Sequence, residues 1–416
     1  MSFYDDTETR SRDERAADLV RELSRTVDDA KHTPGMARAL REIEPEDIRT
    51  LADLARLPVT RRADLAEAQS RRPPFGGLTT RRVTEFDHVF AAPCGLYAPG
   101  RLESDWWRLG RFLHASDVGN DDVMLNSFSY HLSPWGMMFE SGARAVGAMV
   151  LPAGQGEEDA QLRAARDVGA TLYAGPPDYL ARLLARADEL SIQLPISRAV
   201  MADGALPAGL RKQYRDRGIM ARLAYAAADL GLLAYESEAM EGMIVDERVI
   251  LEIVCPGTGQ PVAEGEIGEV LVTTLNPDYP MIRLATGDLS AVLPGESPCG
   301  RTNLRIRGLL GRVAQMARIG DAFIHPGQIA KLVARFPELT GARLLIETGE
   351  GGADRVTLQL ETAATDPAPY AAAILPALRV TGQVALLPPG ALAGEAVSIE
   401  DRRTTATEAT TTEGEA

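Results

Sequence analysis

From residue 85 to residue 230 the chain repeats one pattern: a short apolar run, a turn bearing glycine or proline, then a stretch with helical spacing. "AVGAMVLPAG", "ATLYAGPP" and "SRAVMADGAL" are the apolar runs with their turns, and "EEDAQLRAARDVG" and "PDYLARLLARADEL" are the helical stretches between them. Two strands joined through a helix pair in parallel when the helix crosses a face of the sheet. The alternation therefore predicts an α/β fold with a mainly parallel sheet and helices on its faces. Ligands of such sheets sit outside the carboxyl ends of the strands, where these turns fall.

The flanks read differently. Residues 13–70 read as helices. "DERAADLVRELSRTVDDA" sets Ala17, Leu19, Val20, Leu23 and Val27 on one apolar face, and "EPEDIRTLADLARLP" has acids at its start and Pro58 past its end. From 240 to 312 the texture is β, in "GMIVDERVILEIV", "GEIGEVLVTTL" and "PMIRLATGDLSAVL". Residues 313–403 read as strand, helix, two strands, helix, strand, beginning with "MARIGDAFIHP" as a strand. The expected organisation is a large domain over 1–312 (helical 1–84, α/β 85–235, β-rich 236–312), a small α+β domain over 313–403 and a disordered polar tail over 404–416.

Charge and cysteine usage exclude several function classes. The net charge is −15 with no basic run, a poor match for nucleic acid or an anionic membrane. Cys94, Cys255 and Cys299 are far apart and form no Cys-x-x-Cys pair, so neither a disulfide framework nor a cysteine zinc site is indicated. No apolar stretch reaches the roughly 18 residues of a membrane span. The charged N-terminus does not read as a secretory signal. A cytoplasmic protein is expected.

"AAPCGLYAPG", residues 91–100, stands between the strand-like "RRVTEFDHVF" and a helix expected from Glu103. By composition it is a strand-to-helix turn. Three longer blocks give it a further meaning. "MIRLATGDLSAVLPGESPCGRTNLRIRGLLGRVAQM", "VLPAGQGEEDAQLRAARDVGATLYAGPPDYLARL" and "IRTLADLARLPVTRRADL" resemble, in order, motif blocks of the adenylate-forming enzymes, in particular the phenylacetate–CoA ligase branch. The resemblance runs over residues 13–403.

That resemblance implies the adenylate-forming fold and a reaction that joins a carboxylate to ATP, with magnesium, and then passes the acyl group to coenzyme A. It also implies where the parts would lie. Residues 93–100 take the place of the phosphate loop Ser-Ser-Gly-Thr-Thr-Gly-Lys-Pro, of which only Gly95 is kept. Proline at the lysine position removes an ammonium and an N–H, and Leu96 and Tyr97 replace hydroxyls with bulk. Asp229, in "YAAADLG" with Tyr225, takes the place of the magnesium-binding glutamate. Otherwise it is a helix cap or loop acid. Asp288 keeps the ribose aspartate, Arg283 the first arginine of its block and Arg312 the arginine at the entry to the small domain; the second arginine of the block is Ala285. Gly320 and Asp321 stand at the position of an Arg-Gly pair, and Glu395 at that of the adenylation lysine. Loss of one such charge-stabilising donor typically costs about 2.7–4 kcal/mol.

"LNSFSYHLSPWGMMFESG", residues 125–142, is similar to the segment lining the acyl pocket, which would make Phe128, Tyr130, Trp135, Met138 and Tyr97 pocket residues; the other reading is a core helix. His131 is a candidate acid or base, because an imidazole titrates near neutrality. His325 and a Cys94 nucleophile are lesser candidates. Three functional readings stand: an ATP-independent acyl-transfer, condensation or cyclisation enzyme of small-molecule biosynthesis; an ATP-dependent aryl- or acyl-CoA ligase; and a non-catalytic binding protein. Expected partners are a small carboxylic acid or acyl thioester, a carrier protein and a second copy in a homodimer.

Overall fold

The computed structural model describes residues 2–91, 95–319, 322–349, 353–392 and 397–403. Helix α1 (Arg12–Lys31) starts where Ser11 and Glu14 form a reciprocal capping box. Its buried face runs through Arg15, Leu19, Leu23, Val27 and Ala30, one step in each turn. Ala17, expected on that face, is exposed; the position goes to Arg15, whose guanidinium is paired with Glu247. The helix expected over 44–57 is instead two 3-10 turns, Pro45–Asp47 and Leu51–Arg56. Asp53 accepts from the backbone N–H groups of Arg49 and Thr50, which closes the turn locally. Helix α2 (Arg62–Arg71) follows.

The strand-to-helix turn expected at 91–100 is a strand–loop–strand element. Strands β1 (His88–Ala91) and β2 (Tyr97–Gly100) pair antiparallel, His88 with Gly100 and Ala91 with Tyr97. The next helix, α3 (Leu109–Ala115), begins later than the sequence suggested.

From there the alternation holds: β3 (Val123–Asn126), α4 (Trp135–Ala145), β4 (Met149–Pro152), α5 (Glu158–Asp167), β5 (Leu172–Gly175), α6 (Pro177–Glu189), β6 (Arg198–Met201), α7 (Ala208–Asp216) and β7 (Met220–Ala227). Strands β8 (Gly231–Tyr235) and β9 (Met243–Val245) then turn antiparallel. A second sheet contains β10 (Val249–Val254), β11 (Ile267–Thr274) and β12 (Met281–Ala291). A short strand β13 (Arg305–Ile306) closes the first sheet, whose order is β13-β9-β8-β7-β6-β5-β3-β4. Leu162, Leu180, Leu183 and Tyr214 cover one face of its parallel part, and Phe112, Met138 and Phe139 belong to a second apolar cluster with Met124 and Leu172. These are the contacts that a period near 3.6, beside runs of four apolar residues, was bound to seek.

The chain divides into two compact units, Met1–Thr286 with Ser290–Leu309, and Gly287–Leu289 with Leu310–Ala416. In the second, β14 (Gly311–Arg312) pairs with Asp288 and Leu289. The strand expected at 316–326 is a hairpin of β15 (Ala317–Ile319) and β16 (Ala322–Ile324), followed by α8 (Pro326–Val333). Strands β17 (Gly341–Thr348) and β18 (Asp354–Glu361), helix α9 (Ala368–Ala377), β19 (Gln383–Leu387) and β20 (Val397–Asp401) complete a sheet ordered β19-β18-β17-β20. Strand β20 was not expected. No helix among the described residues is long and apolar enough to cross a membrane.

Candidate functional site

Strand β4 lies on one side of β3 and β5 on the other, so the winding of the parallel sheet reverses between β3 and β5. In open parallel sheets such a reversal is the place where a ligand crevice forms, at the carboxyl ends of the strands. The segment leaving β3 is fixed there by backbone bonds: Ser127 donates to Ala174 O at 2.8 Å, and Ala153 and Gly154 donate to Asn126 O at 3.0 Å. Asn126 is fully buried. Its amide donates to the Tyr130 hydroxyl at 2.8 Å and to Gly136 O at 2.9 Å. Tyr130 donates in turn to Glu140 Oε2 at 3.0 Å, and burial together with that carboxylate pushes its phenol well above the ordinary range. Ser127 donates to Gln161 Oε1 at 3.3 Å, and Gln161 donates to the Tyr179 hydroxyl at 2.9 Å and to Gly156 O. A hydrogen-bonded network of this kind holds the segment after β3 rigid. Tyr179 lies in the "GPPDYL" stretch of the second motif block, and no sequence signal marks Gln161.

The expected pocket residues divide. Phe128, Trp135 and Met138 are 1%, 6% and 0% exposed. Phe128 stacks on Trp135 at 5.6 Å and on Phe139 at 4.3 Å between ring centroids. These three side chains belong to one buried apolar cluster, as the core-helix reading expects. Tyr97 is 44% exposed. Its backbone N–H and C=O are both held at 2.8 Å by the buried Gln69 amide, which serves β2 as a one-residue strand. His131 is exposed, and among the described residues its imidazole has no hydrogen-bond partner to orient it. The loop that carries it is tied to β1, because Ala91 N–H donates to Leu132 O at 2.9 Å. Gly95 has φ +77°, with open space where a Cβ would point.

Asp229 follows β7, its side chain 5% exposed, and is paired with Arg62 at 2.9 Å. Tyr279 lies against the pair: burial, with the Asp229 charge, raises its phenol pKa, and Arg62 opposes the rise. Tyr225 is buried on β7 next to a bulge.

Arg283 is a correction. A nucleotide contact was expected, but the side chain is 2% exposed and its donors are used inside the protein. Nε and Nη2 reach Glu252 at 2.9 and 3.0 Å, Nη1 reaches Leu57 O at 2.7 Å and Ala55 O at 3.5 Å, and Nη2 also reaches Gly259 O at 2.6 Å. A guanidinium carries five N–H groups, and five contacts consume them. Arg283 clamps the "ARLPVT" segment onto β12, where Thr60 N–H also donates to Arg283 O at 3.0 Å.

In the second unit the structure does bring two expected residues together: Asp288 and Arg312 face each other across β12 and β14, with Nε 3.6 Å from Oδ1. His325 is buried, and neither ring nitrogen has a partner among the described residues; burial lowers its pKa. Cys299 lies among hydroxyls: burial raises the thiol pKa, but hydrogen bonds to Ser237, Ser297 and Arg301 outweigh it, and the net shift is downward. Cys94, Gly320, Asp321 and Glu395 lie outside the described residues.

No protein-family model matches the chain. It is 26% identical over 379 residues to a phenylacetate-coenzyme A ligase of Thermus thermophilus, covering 87% of this chain and 84% of that protein. It is 28% identical over 380 residues to that of Escherichia coli, covering 86% and 84%. Over most of its length the chain is similar to the phenylacetate–CoA ligases, of the adenylate-forming enzymes. The fold agrees: an open conformation of 2-hydroxyisobutyryl-CoA ligase in complex with 2-HIB-AMP and CoA superposes with a TM-score of 0.82, covering 95% of this chain and 93% of that one at 22% identity. E. coli MenE gives 0.54 over 76% of this chain and 69% of that one, at 16% identity.

In this ligase-like chain the magnesium expected at Asp229 does not fit the residues present. The carboxylate is already neutralised by Arg62, and a divalent cation on the same oxygens would face a guanidinium. Among the described residues no group of three or more acids, histidines or cysteines could hold a metal.

Proposed function

We propose that this acyl-CoA ligase-like protein activates a small carboxylic acid with ATP and transfers the acyl group to coenzyme A. The acid oxygen displaces pyrophosphate from the α-phosphorus of ATP to form an acyl adenylate. A thiol then displaces AMP to form the thioester. The observation that supports this reading best is the breadth of the likeness. Similarity to phenylacetate-coenzyme A ligases runs over 87% of the chain and so reaches into both units. The similar solved ligase is one in complex with 2-HIB-AMP and CoA.

In this reading Asp288, with Arg312 beside it, accepts from the ribose hydroxyls. The crevice between β3 and β5 takes the acid, with the Asn126–Tyr130–Glu140 and Ser127–Gln161–Tyr179 network as its wall. Arg62, held by Asp229, supplies positive charge at the end of β7. The proposed small-molecule partners are the acid and the CoA thiol; a carrier protein in place of CoA, and a homodimer, are readouts of product analysis and sedimentation.

One observation favours the ATP-independent reading: the Arg62–Asp229 pair stands where a metal-binding carboxylate was expected. Pyrophosphate exchange into ATP over a panel of aryl and branched acids separates the two. Exchange that depends on the acid supports the ligase; none with any acid, while the acids still bind, supports ATP-independent chemistry.

A further inference from the structure

A cavity opens between α1 and the strands β9 and β10. It holds about 280 Å³, at the small end of ligand sites, and its wall is aliphatic, with Leu19, Leu51, Val249, Leu251 and Leu293 among its lining. Four charged residues border it. Arg15 is neutralised by Glu247 at 3.0 Å. Glu264 is exposed at the edge. Arg12 is exposed, and no carboxylate among the described residues pairs with it. Arg305 is 4% exposed; its terminal nitrogens bind Glu241 and the carbonyls of Pro294 and Glu296, but its Nε–H is buried without a partner. Arg12, Gly295, Thr302 and Asn303 are shared with an adjoining polar recess of about 280 Å³, so the aliphatic chamber continues into a polar one.

We propose that this cavity is a binding site for an alkyl monocarboxylate, the chain against the aliphatic wall and the carboxylate at Arg12, where the chamber meets the polar recess. It is separate from the acid site of the proposed reaction and holds whether or not that reaction is correct.

The test is calorimetric titration of the full chain with octanoate, and with octanamide as a neutral analogue of the same shape. Saturable one-to-one octanoate binding is expected, with octanamide about tenfold weaker for the lost charge contact. Arg12→Ala, at an exposed position, is expected to weaken octanoate about fivefold. Ala16→Trp, which fills the chamber, is expected to abolish binding at this site, with circular dichroism reporting that the variant is folded. Octanoate bound at the proposed acid crevice would survive both substitutions. Binding unchanged in both variants, equal binding of octanamide, or no octanoate binding at all overturns the proposal.

Discussion

Arg62 and Asp229 form an ion pair just past β7, with Nη1 2.9 Å from Oδ2 and the acid far more buried than the base. Removing the base strands a buried carboxylate. Breaking fully buried pairs costs about 3–5 kcal/mol, and partial exposure of Arg62 reduces this to about 2 kcal/mol for Arg62→Ala. The bare carboxylate then becomes able to hold a cation. Thermal melting of Arg62→Ala is expected to rise with magnesium, while the unaltered protein, without nucleotide, melts alike in magnesium and in EDTA. A magnesium-dependent melt in the unaltered protein would contradict the pairing.

Arg283 is a structural clamp, so its replacement should be read in folding. Arg283→Lys loses the bidentate contact to Glu252 and most of the carbonyl contacts, at a cost of about 3–5 kcal/mol. Urea unfolding is expected to show an early midpoint or little soluble protein. A stable variant with only a raised KM for ATP would restore the nucleotide role.

His325 ties stability to pH. Burial lowers its folded pKa below 6.5, so the unfolded chain takes up the proton first. The penalty is absent above pH 6.5 and grows as pH falls from there towards the folded value. Unfolding of the second unit, followed by hydrogen exchange of β17 and β18, is expected to accelerate over that range, and His325→Leu is expected to flatten the response.

Asp105 acts with the opposite sign. Burial pushes its carboxyl up to about 6, with Asp246 adding to the rise and Gly110 N–H opposing it. The folded state holds its proton longer, so stability falls as pH rises from 3.8 to 6 and stays reduced above. Asp105 sits at φ +52° and accepts from Gly110 N–H at 2.9 Å; asparagine meets both demands. Asp105→Asn is expected to gain about 1–2 kcal/mol at pH 7 and little at pH 4, measured by denaturant titration at the two pH values.

The alternating part of the fold was legible because burial on both sheet faces forces the period that sequence displays: β4, α5, β5, α6 and β6 fall where their apolar runs lie. The hairpin of β1 and β2 was hidden because Tyr97, at the start of its second strand, is also held by a distant amide, Gln69. The 3-10 turns at 45–56 were hidden because Asp53 closes a turn that acidic composition alone cannot distinguish from a helix start. Side-chain partnerships were not legible. Arg283 matched a motif, yet Glu252 and three carbonyls occupy it, and Arg62 matched nothing until Asp229 was seen beside it. Phe128 and Trp135 had pocket-like composition, but mutual stacking is a property of packing.

The most direct test of the ligase reading is product analysis of the purified chain with ATP, magnesium, coenzyme A and a panel of aryl and branched carboxylic acids. The account predicts that at least one acid yields its CoA thioester with AMP formed in equal amount. ATP recovered intact with no thioester from any acid, under conditions where the acids bind, would contradict it.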